Sequence, residues 1–232
     1  METISQGDKL SFLRRPSSYS ASGQEVTVRE THTSWVFLVG DDVYKMKKPI
    51  KLPALDFRSL EARERNCLEE LRLNRRLAGD IYRDVVPLRQ KADGSICLGG
   101  EGVVIDWLVK MRRLPENRML DVLLSRNKLG REQLDSLGSV LARFYAAAEK
   151  PAVQPRDVLE SFRAQHALNL QILAQPQYDI DHVVIGSVVT KIDDLLAHLQ
   201  EVIERRVSNG RYVEGHGDLR PEHICFTEPL VI

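Results

Sequence analysis

The hydrophobic period of this chain changes at Leu114-Pro115, and that change limits the folds it can adopt. Before it, β-rich runs are split by turn residues. Thr33–Val39 and Val43–Lys47 flank Gly40-Asp41-Asp42, and Asp84–Leu88 and Ser95–Leu98 flank Lys91-Ala92-Asp93-Gly94. Both pairs read as hairpins, and Gly102–Val109 reads as a buried strand. After Pro115, apolar residues recur every three or four positions: Leu134, Leu137, Leu141, Phe144, Tyr145 and Ala148 mark a helix over 131–150. A second helical stretch covers 157–175, and a third covers 187–208, where Asn209-Gly210 stops it. One helix precedes the change, between Asp56 and Gly79, with Leu60, Leu68, Leu71 and Leu77 near one face and Asp56 or Ser59 as its cap. This order predicts an α+β protein of two lobes, strand-rich over 31–112 and helical over 113–232, crossing near Val109–Pro115. Residues 1–30, rich in Ser, Gly and charge, read as a flexible lead-in, especially Pro16–Gly23.

The charge balance removes some functions. Lysine plus arginine equals aspartate plus glutamate at 33 each, so no global field draws nucleic acid or an anionic membrane surface. Three cysteines without a CxxC pair argue against a disulfide framework or a cysteine-rich zinc site. No secretory leader pattern is visible, and no apolar run approaches the roughly 20 residues of a membrane helix. A cytoplasmic protein without a nucleic-acid or membrane partner is expected.

Two features carry chemistry. In Val43-Tyr44-Lys45-Met46-Lys47 the period of two puts Lys45 and Lys47 on one face with Val43, where a lysine can reach into a cleft toward phosphates. The alternative is that both lysines snorkel from an edge strand. The helix that follows carries Glu69 and Glu70 beside its apolar stripe; Glu70, directly before Leu71, is the better placed to hold a lysine. The second feature is Gly215-His216-Gly217-Asp218-Leu219-Arg220-Pro221-Glu222-His223-Ile224, directly behind the last helical stretch.

With these pieces in order, the chain resembles the aminoglycoside-phosphotransferase-like branch of the protein-kinase-like superfamily. The resemblance lies in His216-Gly217-Asp218-Leu219, His223-Ile224 and Val43–Pro49, and more narrowly in Ser34–Leu38, Leu55-Asp56-Phe57, Glu70–Leu77 and Met111-Arg112-Arg113, which are similar to an uncharacterised bacterial group of that branch. It implies a two-lobed kinase-like fold and ATP-dependent transfer of a phosphoryl group to a hydroxyl of a small molecule. It further implies that Asp218 orients the acceptor hydroxyl, Lys45 grips the nucleotide phosphates and Glu70 holds Lys45. Val109 to Arg113, Met111 included, would line the adenine pocket, and His223 would occupy a metal-ligand position, with ATP and Mg²⁺ as cofactors.

The chain departs from that pattern in three places. Imidazole replaces an asparagine amide at His223, which favours Mn²⁺ over the hard Mg²⁺ ion. Thr31-His32-Thr33-Ser34 stands where a Gly-rich loop is expected. The run Leu230-Val231-Ile232 stops one residue before the family's second metal-binding aspartate, which reads as a C-terminal truncation that weakens catalysis. Two other functions compete: a degenerate kinase-like module that binds nucleotide or a partner without turnover, and a metal-dependent hydrolase using His216, Asp218 and His223.

Overall fold

The computed structural model describes residues 4–19, 24–52 and 55–232 of the chain. The protein is α+β, built on an antiparallel sheet with helices. By internal packing it divides into two compact units: Met1–Phe144 with Asp218–Ile232, and Tyr145–Gly217. That division differs from the expected one at 112/113.

Residues 5–19 are not a loose lead-in. Ser5 and Asp8 form a reciprocal capping box that starts helix α1 (Gln6–Leu13). Leu13 and Tyr19 are buried, and Pro16–Ser18 makes a 3₁₀ turn between them. Composition hid this because the apolar residues are few, yet Leu10, Phe12 and Leu13 all face one core. Ser20–Gly23, the rest of the expected loose segment, lies outside the described residues.

Strands β1 (Val26–Glu30), β2 (Ser34–Val39) and β3 (Asp42–Lys47) form two successive hairpins. The turn between β2 and β3 needs φ +56° at Gly40, a left-handed value that favours glycine. Two short strands, β4 (Lys51–Leu52) and β5 (Leu55–Asp56), pair with each other. Helix α2 (Leu60–Ala78) follows, capped by the Ser59 hydroxyl on Ala62 N–H and ended at Gly79. Strands β6 (Tyr82–Gln90), β7 (Ile96–Leu98) and β8 (Val103–Arg112) complete a six-stranded sheet in the order β1-β2-β3-β8-β6-β7. Strand β8 thus lies at the centre and pairs with both β3 and β6, as its near-continuous apolar run requires.

The two faces of β3 do different things. Tyr44 and Met46 join Leu13, Tyr19, Phe37, Val39, Leu88 and Leu108 in one buried core, on the side reached by α1. Val43, Lys45 and Lys47 point the other way, in register with Met111 and Val109 of β8 for the first two. Asp106 of β8 is wholly buried. Its carboxylate accepts from Lys9 Nζ at 2.8 Å and from Arg63 Nε and Nη2 at 2.7 and 3.2 Å. Arg63 Nη1 also donates to the carbonyls of Phe57, Arg58 and Ser59. One anion therefore joins α1, α2 and β8.

Beyond β8 the same unit continues through helix α3 (Leu120–Ser125) into helix α4 (Arg131–Ala147), which the unit boundary cuts at Phe144/Tyr145. Leu120, Ile224 and Ile232 make a buried cluster with Leu77, Leu129, Leu137 and Leu141 around them. Residues after Asp218 return to this unit for that reason. Cys225 bridges to Met119 and Val231, and Ile232 N–H donates to Leu77 C=O at 3.3 Å.

The other unit is helical. Helix α5 (Pro155–Leu173) packs against α6 (His182–His198) and α7 (Gln200–Ser208). The single helix expected over 187–208 is two, and the first begins earlier because the Asp181 side chain caps Val183 N–H. An apolar cavity of about 180 Å³ lies between α5 and α6, lined by Leu170, Leu173, Val184, Ile185 and Val188 with His166 at its wall.

Asp106→Ala is expected to cost about 3–5 kcal/mol, because it leaves Lys9 and Arg63 buried without their anion. Urea unfolding of the two chains measures this, and a loss below about 1 kcal/mol would contradict the anchoring role.

Candidate functional site

The β3 lysines and the α2 glutamate meet. Lys45 Nζ donates to Glu70 Oε1 at 2.8 Å, and Lys47 Nζ donates to Glu70 Oε2. Strand and helix both contribute: the period of two aims both lysines at one face, and the helical period turns Glu70 inward while Glu69 turns out. Glu69 pairs instead with Arg72 on the exposed side at 2.6 Å. Arg63 and Glu70 lie seven residues, about two turns, apart on one side of α2, so the Asp106 anchor also fixes the glutamate.

The three side chains differ in access. Lys45 is 28% exposed, Lys47 8% and Glu70 11%. Lys47 also sits 5.8 Å from the centre of the Phe57 ring, a cation–π contact. Burial alone would raise the Glu70 carboxyl, but the Lys45 and Lys47 charges and their hydrogen bonds hold it below its ordinary value of 4.5. Cys67, one turn earlier on α2, is fully buried and its thiol is pushed up to about 12, chiefly by burial, so it stays neutral.

Met111 belongs to the same sheet, opposite Val43 on β3 and Tyr82 on β6. The turn before β2 is closed tightly: Thr31 Oγ1 donates to Ser34 C=O and accepts from Ser34 N–H, both at 3.0 Å. Its hydroxyl is thereby committed to the turn. The buried Ser34 hydroxyl, opposite Lys47 in register, has no hydrogen-bond partner among the described residues.

Asp218 and His223 also come together. Gly217 takes φ +80°, and Pro221–His223 forms a 3₁₀ turn. His223 Nδ1 lies 2.8 Å from the Asp218 carbonyl, which can only accept, so this nitrogen carries the proton. Nε2 then accepts from Arg220 Nη2 at 3.3 Å. Arg220 Nε lies 3.2 Å from Asp218 Oδ1, and the Asp218 side chain is exposed. His216 belongs to the helical unit.

The metal-ligand expectation for His223 does not fit this donor set. Its Nε2 faces the Arg220 guanidinium, a poor neighbour for a cation. Among the described residues no group of three or more His, Cys, Asp or Glu side chains could hold a metal ion. No helix among them is long and apolar enough to cross a membrane.

Sequence reasoning left Lys45 and Lys47 as alternatives, whereas both hold the same carboxylate. It missed Asp106 with Lys9 and Arg63, and Arg220 beside Asp218. A lone aspartate inside Val103-Val104-Ile105-Asp106-Trp107-Leu108-Val109 was the available signal, because a charge in a buried strand demands a partner.

Comparison with known proteins is consistent across two species. The chain is 32% identical over 209 residues to the uncharacterised protein Rv2004c of Mycobacterium tuberculosis, covering 88% of this chain and 39% of that protein. The uncharacterised protein Mb2027c of Mycobacterium bovis matches to the same extent. The chain thus spans 39% of the length of these curated relatives. No protein-family model matches it, and no solved structure does.

Because the Glu70 carboxyl is lowered on folding, the ionised form favours the folded state. Its contribution is complete above the ordinary value of 4.5 and is lost as pH falls through the lower folded value. Glu70→Gln is expected to flatten the acid limb of the stability–pH curve below about pH 4.5. Thermal unfolding across pH 3–7 reads it, and an unchanged limb would remove Glu70 from the ionised network.

Proposed function

We propose that this protein is a kinase-like phosphotransferase that moves the γ-phosphoryl group of ATP to a hydroxyl of a small molecule, within a two-lobed kinase-like fold. The single observation that carries this is the Lys45–Glu70 ion pair between a central strand and the first long helix. Two lysines around one carboxylate leave a net positive charge beside a partly open surface, which suits the anionic phosphates of a nucleotide. Lys45 would hold those phosphates, Glu70 would keep Lys45 in place, and Met111 would border the base.

Asp218 is the group for the acceptor. An exposed carboxylate at the head of a turn can accept a hydroxyl proton and orient the oxygen for attack. His223 supports it from behind, its Nδ1–H holding the Asp218 carbonyl, which positions the backbone of the proposed base. ATP supplies the transferable phosphoryl group. Magnesium accompanies ATP in proteins of this pattern and would neutralise the charge of its phosphates.

A non-catalytic nucleotide-binding module is the second reading. The contact of Arg220 with the Asp218 carboxylate favours it, since it occupies an oxygen that an acceptor hydroxyl would need.

Saturating ATP with Mg²⁺ or Mn²⁺, at about a hundred times Kd, is expected to raise the melting temperature by roughly 5–10 °C. Lys45→Ala should abolish that shift. Asp218→Asn should keep it while lowering phosphoryl transfer to hydroxylated acceptors by about 10²–10⁴-fold. No response to ATP in the unmodified chain would reject the kinase-like reading. Binding without transfer, unaffected by Asp218→Asn, would select the non-catalytic module.

A further inference from the structure

We propose that the cavity between α5 and α6 is a binding site for a small neutral molecule, about the size of one aromatic ring, that carries a hydroxyl group. The cavity lies within the helical unit and takes no part in the phosphotransferase reading.

Two helix faces build it. On α5, His166, Asn169, Leu170 and Leu173 recur at intervals of three and four, which sets them along one stripe. The side chains that α6 presents to them, between Val184 and Ile192, are all Val or Ile. Such branched side chains are short and hold one preferred χ1 rotamer in a helix, so they cannot swing across to close the gap. Ile185 is buried and forms the floor, while Val184 and Val188 are about half exposed and form the rim. The volume of about 180 Å³ slightly exceeds that of an engineered apolar cavity, about 150 Å³, that holds benzene. It falls below the roughly 300 Å³ at which sites for drug-sized ligands begin. The space suits one ring.

His166 supplies the polar handle. The Asn169 amide is engaged by its neighbour, with Gln165 Nε2 donating to Asn169 Oδ1 at 3.0 Å. The His166 side chain is only 12% exposed, and its covered Nε2 has no hydrogen-bond partner among the described residues. Asp193 Oδ1 lies 3.5 Å from that nitrogen. A carboxylate on the Nε2 side favours the tautomer with its proton there, which leaves the lone pair on Nδ1. A lone pair in an apolar wall is unfavourable until a donor meets it, and a hydroxyl is the small neutral donor that a ring-sized molecule can carry. An anion would face Asp193 instead, and no lysine or arginine lines the space to offset it.

The test titrates the full chain with phenol, toluene and benzoate, followed by ligand-observed NMR. Phenol is expected to bind about tenfold more tightly than toluene, the worth of one hydrogen bond, and benzoate should not bind. His166→Phe should keep toluene binding and remove the preference for phenol, which a merely structural role for His166 would not do. Val188→Phe, at the rim, fills the space and should abolish binding of both. Toluene binding as tightly as phenol, benzoate binding as tightly as phenol, or phenol binding unchanged in Val188→Phe overturns the proposal. Failure of all three probes to bind the unmodified chain does the same. A concentration-dependent dimer in sedimentation that is lost in Val188→Phe would assign the gap to a second copy of the chain and also overturn it. None of these outcomes depends on the response to ATP, so the kinase-like reading stands or falls separately.

Discussion

The sealed carboxylate of Asp106 is the interaction on which the sheet-bearing unit depends. A charge removed from water stabilises a fold only when it is paired and its lone pairs are filled. Asp106 meets that condition with Lys9, with two nitrogens of Arg63 and with its neighbour's main-chain N–H at Trp107. The excess positive charge of the cluster is shared with carbonyls, Ile105 for Lys9 and Phe57, Arg58 and Ser59 for Arg63. Such a centre has one geometry that satisfies every donor. It therefore sets the register of α1 and α2 on β8 more sharply than apolar contact would.

That register has a consequence two turns along α2. With Arg63 locked, Glu70 has little choice of direction, and it faces the lysines of β3. The two ion networks that use this helix each centre on one carboxylate held by two basic side chains, but they differ in access. Asp106 has no exposed surface, whereas Glu70 shares its carboxylate with a lysine that remains partly in solvent. Access, rather than composition, separates an internal tie from a surface able to meet a charged ligand.

The 218–223 turn shows what the spacing does in the folded chain. Five positions separate Asp218 from His223, the interval of a base and a metal ligand. In the folded chain the same interval lets the imidazole reach back to the Asp218 carbonyl and close the turn. A histidine with one nitrogen donating to backbone and the other facing arginine supports the loop.

Much of the α+β architecture was legible in the residues alone. The hairpin of β2 and β3, the α2 helix with its Ser59 cap and Gly79 end, and the late helices all follow from local periodicity and cap chemistry, which act over a few neighbouring residues. The preference for Glu70 over Glu69 was only suggested by the apolar stripe, of which Leu68 is exposed, and the folded chain pairs Glu70 with both lysines. What periodicity could not reveal were partners far apart in the chain. Lys9 finds Asp106 across 97 positions, and Leu77 meets Ile232 at the far end. A short polar segment such as 5–19 carries no local sign of such a partner, so its order came from the tertiary structure. The sequence determined that a lysine strand, a glutamate helix and an HGD turn would form. Only the folded chain decided that both lysines share one carboxylate, because convergence of two flexible stems depends on where α2 is anchored.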